Sequence, residues 1–518
     1  MSLITRLLAW RYRLPRARTY QVFADRGVKV PMPDGAVLLA DRYGEPGAPV
    51  ILVRTPYGRA GAFSVIPTLF AERGFQVFVQ STRGTFGSDG QFTPFVHERS
   101  DGLATIDWLV KQPWYGGKLA TWGPSYLGFT QWAVADAPEI KAMSLQVTAA
   151  SFEDHFYLGG AFALGDALSW AVSTTLQERP LNALRSAITR RRLEKMYGEL
   201  PLGDLDGMTV GHPIPHYQNW LDRDPAYWAA IDHRTIPAAP VQTITGWYDL
   251  FLPEQLRDYA DMKAAGRQPY LTIGPWSHGA PLMEAMMIML GESLRWFRAH
   301  LLDEPRALRE QPVRINVTGG GGWRDLPEWP PPSTARRWHP APGGRLSEQP
   351  GDTSDRYRYD PADPTPSLGG PTLYDKGLPV DNRPLEARPD VLVYTGEPLA
   401  RDLEVIGEVR AELRVRSSLA HTDFFVRLCD VDPSGVSTNV TEGIVRLDDH
   451  QEEVTIRLRA AAHRFRRGHR LRFQISSGAH PHVARNTGTG EPLATAGRLA
   501  VAEQEVLHGS CFVIPEAS

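Results

Sequence analysis

The sequence predicts an α/β chain: a doubly wound parallel sheet joined to an antiparallel, β-rich C-terminal part. Three observations carry this. Over residues 20–150, short apolar runs alternate with helical patterns, the sign of strands and crossover helices. Strand signals fade over 151–236 and return at 241–245 and 270–273. From residue 335 the chain is rich in Pro and Gly, and its short runs alternate apolar with polar residues. The chain therefore divides into 1–150, a helical insertion at 151–236, a return to the first unit at 237–334, and a sandwich or jelly roll at 335–518.

Each element has its own signal. Residues 21–31 and 37–43 read as strands around the turn Pro33-Asp34-Gly35. Residues 50–54 form an apolar run suited to a buried parallel strand. A helix over 68–73 ends at Gly74, and 75–80 is the next strand. In 100–111, Leu103, Ile106, Leu109 and Val110 recur at helical spacing, with Pro113 beyond the end. Residues 118–122 are again a strand. The insertion carries a basic helix over 181–197, read as a solvated face. A helix over 282–302 has an apolar face that packs either internally or across a homodimer. Strands follow at 391–394, 408–415, 423–429, 454–458 and 471–476, separated by turns such as Asp432-Pro433-Ser434-Gly435. Residues 1–15 read as a short amphipathic helix or arm.

Composition narrows the function. Lys and Arg total 56 against 59 Asp and Glu, a net charge of −3, which argues against nucleic acid or an anionic membrane as partner. Apolar runs reach only about 8 residues where a membrane helix needs about 18. Arg6 and Arg11 interrupt the apolar N-terminus, so no signal segment is expected and the compartment is read as cytoplasmic. Cys429 and Cys511 are the only cysteines and read as free thiols. His212 with His216, and His480 with His482, have ligand-like spacing. Proline interrupts both pairs and no third ligand accompanies either, so no metal and no cofactor is expected. The segment Arg83-Gly84-Thr85-Phe86-Gly87-Ser88-Asp89-Gly90 lacks the Gly-Lys-Ser/Thr of a phosphate loop and reads as a turn, with Arg83 in a structural pair.

The chemistry centres on Thr121-Trp122-Gly123-Pro124-Ser125-Tyr126-Leu127-Gly128, which follows a strand and opens a helix. A serine on such a turn projects its hydroxyl above the sheet, and the next main-chain N–H points where an oxyanion would form. The usual pattern is G-x-S-x-G; here the last glycine comes one place late, at Gly128. A serine nucleophile needs a base and an orienting carboxylate, each after a later strand in the order Ser, acid, His. Asp249 ends one such segment, after Gly246-Trp247-Tyr248, and His278 another, after Gly274-Pro275-Trp276-Ser277. Tyr57, after the strand at 50–54, stands where a second oxyanion donor belongs. Trp122, Trp247 and Trp276 neighbour these segments and are either core or substrate-binding residues. No acidic residue immediately follows Asp249, so a carboxylate for a substrate ammonium would come from Glu153 or Asp154.

Together these segments resemble the CocE/NonD serine hydrolases, the family of cocaine esterase, glutaryl-cephalosporin acylase and the Xaa-Pro dipeptidyl-peptidases. The likeness extends to Arg54-Thr55-Pro56-Tyr57, to Trp323-Arg324 before Trp329-Pro330, to Tyr359-Asp360-Pro361 and to Arg388-Pro389-Asp390-Val391-Leu392. The G-x-S-Y-x-G form is that family's own. The resemblance implies an α/β-hydrolase core, an inserted helical cap and a C-terminal jelly roll. It implies Ser125, Asp249 and His278 as a catalytic triad, with Tyr57 and the Tyr126 amide as the oxyanion hole. The expected activity is cleavage of a small-molecule carboxylic ester or unhindered amide through an acyl-enzyme. The alternatives are an Xaa-Pro dipeptidyl-peptidase or α-amino-acid ester hydrolase and, further off, a non-catalytic binding protein.

Overall fold

Ten strands make the first sheet of the chain, seen here in a computed structural model that describes residues 3–19, 21–60, 64–178, 182–279, 282–373 and 377–517. They are β1 (Ala24–Pro31), β2 (Val37–Tyr43), β3 (Val50–Thr55), β4 (Gln76–Ser81), β5 (Leu119–Pro124), β6 (Ile140–Gln146), β7 (Val241–Tyr248), β8 (Tyr270–Ser277), β9 (Val313–Val317) and β10 (Gly322–Leu326). Their order is β1-β2-β4-β3-β5-β6-β7-β8-β9-β10. Every pairing from β4 to β9 is parallel; β1, β2 and β10 pair antiparallel at the edges. Strands β3, β4 and β7 are buried along their whole length, and β3 accordingly opens on the apolar run Val50–Val53.

Successive side chains of a strand point to opposite faces, and the core divides accordingly. On one face Leu52 and Phe78 pack with Ile106, Leu109, Trp132 and Met262 of the helices Glu98–Val110, Tyr126–Trp132 and Leu252–Ala264. On the other, Ile51, Val53 and Val77 pack with Phe70 and with Met287, Leu290, Leu294 and Phe297. The last four lie on the helix Leu282–Leu301, so its apolar face closes on the sheet of its own chain. From β3 the chain turns outward to β4, then crosses back to β5. That reversal leaves a crevice beyond the carboxyl ends of β3 and β5, where open α/β sheets bind their ligands. Arg83, beside it, bridges Asp34 at 2.8 Å and Asp101 at 2.6 Å.

Between β6 and β7 the chain forms the helices Glu153–Phe156, Leu164–Leu176, Asn182–Met196, Leu205–Val210, Pro215–Asp222 and Pro225–Ala230. Their apolar faces meet those of Phe95, Tyr126 and Phe129 in one cluster that roofs the crevice. Met1 and Ser2 of the expected N-terminal helix, and Leu181 of the expected basic helix, lie outside the described residues. No helix among the described residues is long and apolar enough to cross a membrane.

The β-rich C-terminal domain holds an eleven-stranded sheet. Its longest pair, Leu403–Ser417 with Glu453–Phe465, runs antiparallel from Leu403↔Phe465 to Arg414↔Glu453. The sequence suggests a strand only over 408–415, but the observed strand begins at Leu403. Gly407 adopts φ +136° beside a register shift between Glu408 and Arg410, and the strand continues through this bulge. Cys429 and Cys511 are buried and unbridged. Arg427 is fully buried: it bonds Glu442 through Nε (3.0 Å) and Nη2 (2.7 Å), and Asn382 and the Leu368 carbonyl through Nη1. Arg427→Met leaves the Glu442 carboxylate buried without its cation and should cost about 3–5 kcal/mol. Urea unfolding should show it as a lower midpoint for this domain.

Candidate active site

Ser125 is the single residue between β5 and the helix Tyr126–Trp132, with φ 57° and ψ −125°. A residue with a Cβ rarely holds positive φ, at a cost of about 1–3 kcal/mol, so the surroundings must impose it. Ser125 N donates to the Gln146 carbonyl at 2.9 Å. Its own carbonyl accepts from Gly128 N (2.8 Å), Phe129 N (3.1 Å) and Thr148 Oγ1 (2.9 Å). This accounts for the displaced glycine. A Cβ on Gly128 would stand 2.4 Å from Thr148 Cγ2, so the threonine that grips Ser125 requires glycine there. A Cβ on Gly123 would meet the Leu127 Cβ at 2.4 Å, so Leu127 is accommodated by a glycine on its other side.

Strands β7 and β8 end beside this turn and bring Asp249 and His278 to it. His278 Nε2 lies 3.0 Å from Ser125 Oγ, and Nδ1 lies 2.8 Å from Asp249 Oδ2. Asp249 is 0% exposed, and a carboxylate so buried must collect donors. It has them: the imidazole Nδ1–H on Oδ2, and Phe251 N on Oδ1 at 2.8 Å. The structure thus brings the three sequence-selected residues into one hydrogen-bonded line.

Ser125 opens on a small cavity, about 40 Å³, walled by Tyr57, Phe95, Phe152, Phe156, Trp170 and Phe251. Trp170, from the helical insertion, lies nearly parallel to Tyr126 (6.0 Å, 9°) and Phe95 (5.8 Å, 15°). Its Nε1 donates to the Tyr57 hydroxyl at 3.0 Å. The Tyr126 hydroxyl faces away: it donates to Glu98 Oε1 (2.8 Å) and accepts from Phe95 N (2.9 Å). Glu98 is paired with buried Arg54 at 2.8 Å, yet burial still pushes its carboxyl up. The Tyr126 N–H opens its helix and has no carbonyl four residues back to bond.

Two polar residues share the cavity and escaped the sequence reading. Asp166, 4% exposed, accepts from Leu373 N at 2.9 Å, and its Oδ2 lies 3.8 Å from His155 Nε2. Burial holds the His155 imidazole well below its ordinary pKa. A signal for Asp166 was present: it is the only charged residue in the apolar helix Leu164–Leu176.

Five residues named as candidate substrate contacts lie elsewhere. Trp122, Trp247 and Trp276 do not line the cavity. Each lies on its strand rather than beyond it, so it faces a layer of the core. Trp122 packs on Phe70 and donates to Ser293 Oγ at 3.0 Å. Trp247 packs on Trp329 and donates to the Asn316 carbonyl at 2.6 Å. Trp276 lies with Val147, Ile244 and Met289. Glu153 pairs with Arg223 at 3.2 Å, and Asp154 with Arg257. In their one-turn helix His155 and Phe156 take the buried face, which turns the two acids outward.

Gly128→Ala tests the grip on the turn. Its Cβ must displace Thr148, so the variant should lose about 1–3 kcal/mol, read as a lower thermal midpoint.

Comparison with known proteins agrees in sequence and in fold. The family model described as X-Pro dipeptidyl-peptidase (S15 family) matches residues 34–280, and that of the X-Pro dipeptidyl-peptidase C-terminal non-catalytic domain matches 306–510. Cocaine esterase of Rhodococcus sp. (strain MB1 Bresler) is 34% identical over 541 aligned positions, covering 90% of this chain and 93% of the esterase. An aminopeptidase from a marine sediment archaeon, Thaumarchaeota archaeon, shares the fold with TM-score 0.83 at 22% identity, over 98% of this chain and 99% of that one. An α-amino acid ester hydrolase does so with TM-score 0.73 at 22% identity, over 96% and 97%. A CocE/NonD family hydrolase from Staphylococcus aureus follows with TM-score 0.69 at 15% identity, over 98% and 96%. With an esterase relative matched along nearly its whole length and both parts of the chain recognised, the protein belongs to the CocE/NonD family of serine hydrolases.

Proposed function

We propose that this hydrolase cleaves a carboxylic ester with a compact apolar acyl group, through an acyl-enzyme on Ser125. The observation that carries the reading is the line Ser125–His278–Asp249, at 3.0 and 2.8 Å, opening on a cavity walled by aromatic rings. Ser125 Oγ attacks the acyl carbonyl as His278 Nε2 takes its proton. Buried Asp249 keeps the proton of the imidazole on Nδ1 and stabilises the imidazolium that forms. The carbonyl oxygen becomes an oxyanion held by the Tyr126 N–H and the Tyr57 hydroxyl. Trp170 Nε1 donates to the Tyr57 oxygen, which holds that hydroxyl on the cavity wall and supports this role. Collapse expels the alcohol, which leaves with the proton from His278. Water then attacks the acyl-enzyme by the same route and releases the acid.

A second reading has one observation of its own. Asp166 puts a buried carboxylate among aromatic rings in the same cavity, an arrangement suited to a substrate ammonium. On this reading the substrate is an α-amino acyl ester or an N-terminal peptide bond, and Asp166 takes the role first assigned to Glu153 or Asp154.

The deciding assay sets wild type and variants against p-nitrophenyl esters of increasing acyl length, beside an alanyl ester and Ala-Pro p-nitroanilide. Ser125→Ala should lose about 10⁴-fold or more in kcat. Tyr57→Phe should lose about 10²–10³-fold in kcat with a smaller change in KM. Neutral short or aryl acyl esters should be the better substrates. A preference for the amino substrates that disappears in Asp166→Asn would establish the second reading instead.

A further inference from the structure

The turn that carries Asp249 serves two tasks. Asp249 meets His278, while the next residues, Leu250 and Phe251, form cavity wall. Locally the turn is held by Asp249 N on the Gly246 carbonyl at 3.0 Å, by Leu252 N on the Asp249 carbonyl at 3.3 Å, and by Phe251 N on Asp249 Oδ1 at 2.8 Å.

A further hold, on the main-chain carbonyls, comes from the β-rich domain. Arg459, on the strand Glu453–Phe465, directs Nη1 to the Asp249 carbonyl at 2.8 Å and to the Leu250 carbonyl at 3.1 Å. Its own carbonyl accepts from Thr441 Oγ1 at 2.6 Å, which ties the arginine to the neighbouring strand. Among the described residues Nη2 has no hydrogen-bond partner. Glu254, Glu442, Asp249 and Asp166 favour its charge through space, while burial opposes it and lowers the guanidinium pKa. Burying a guanidinium is expensive. A planar, rigid donor that reaches two consecutive carbonyls fixes the position of a turn more tightly than an apolar side chain of equal volume could.

We propose that Arg459 is a positioning residue for the acid of the Ser125–His278–Asp249 line, acting through the main chain of the 249–250 turn. This rests on the ester-hydrolase reading above. Without Arg459 the turn relaxes, the Asp249 carboxylate loses its alignment on His278 Nδ1, and proton transfer from Ser125 slows. A displacement of about 1 Å in such a constellation costs on the order of 10²-fold in rate.

The test uses the full chain as wild type, Arg459→Met, Arg459→Lys and Ser125→Ala. Steady-state kinetics on a p-nitrophenyl ester are referred to active sites titrated with a fluorophosphonate, so that misfolded protein does not count. Arg459→Met should lower kcat per titrated site by roughly 10–100-fold, with KM within about threefold of wild type. Arg459→Lys, which keeps a cationic donor, should recover most of that loss. Should Arg459→Met fail to fold, Arg459→Lys decides alone: a kcat lowered severalfold at unchanged KM supports the inference, and wild-type kcat overturns it. An Arg459→Met enzyme that folds and keeps wild-type kcat per site also overturns it, as does a loss confined to KM. If Ser125→Ala retains wild-type rates, the ester-hydrolase reading itself falls; if it is inactive while both Arg459 variants are normal, only the role of Arg459 falls.

Discussion

The left-handed backbone at Ser125 is the constraint around which this molecule is organised. No serine adopts φ 57° for its own sake. The strain persists because the Gln146 carbonyl takes its N–H and Thr148 grips its carbonyl. Those two residues end β6 and begin the next loop, so the turn requires β6 to lie beside β5 in parallel. The parallel sheet in turn sends the ends of β7 and β8 to the same edge, where Asp249 and His278 stand. One strained residue, the strand beside it and the direction of the sheet are thus a single requirement.

The cavity obeys a different rule. Its walls come from well-separated parts of the chain and meet through ring packing and a few directed hydrogen bonds. Trp170 does most of this joining: it stacks near Tyr126 and Phe95 and donates to Tyr57. The insertion therefore shapes the pocket and also holds the Tyr57 hydroxyl on its wall. Beneath it, Tyr126 is anchored by its hydroxyl to Glu98, itself on buried Arg54, so its ring cannot swing into the cavity.

Much of this was legible in the amino-acid order, and the limits have physical causes. Strand β3 announced itself because burial on both faces leaves an unbroken apolar run at Val50–Val53. Ser125, Asp249 and His278 could be found because each follows a strand, and strand ends converge in a parallel sheet. The pocket walls could not, because which way a side chain leaves a short helix depends on what packs against it. Glu153 and Asp154 sit beside His155 and Phe156 in sequence, yet the four divide between solvent and cavity. The tryptophans of β5, β7 and β8 could be read either as core or as substrate contacts for a related reason: nearness to Ser125, Asp249 or His278 along the chain says nothing about which face of the sheet a ring occupies.

The hydrogen bonds from Arg459 to the Asp249 turn join residues 210 and 209 positions apart in the chain. The acid loop and a β-strand on the far side of the sequence therefore cannot drift independently. Exchange of the C-terminal domain between relatives would preserve a fitted interface only where the arginine travels with it and the receiving turn presents the same two carbonyls. Two parts that look separable by architecture are, at this point, one inherited unit.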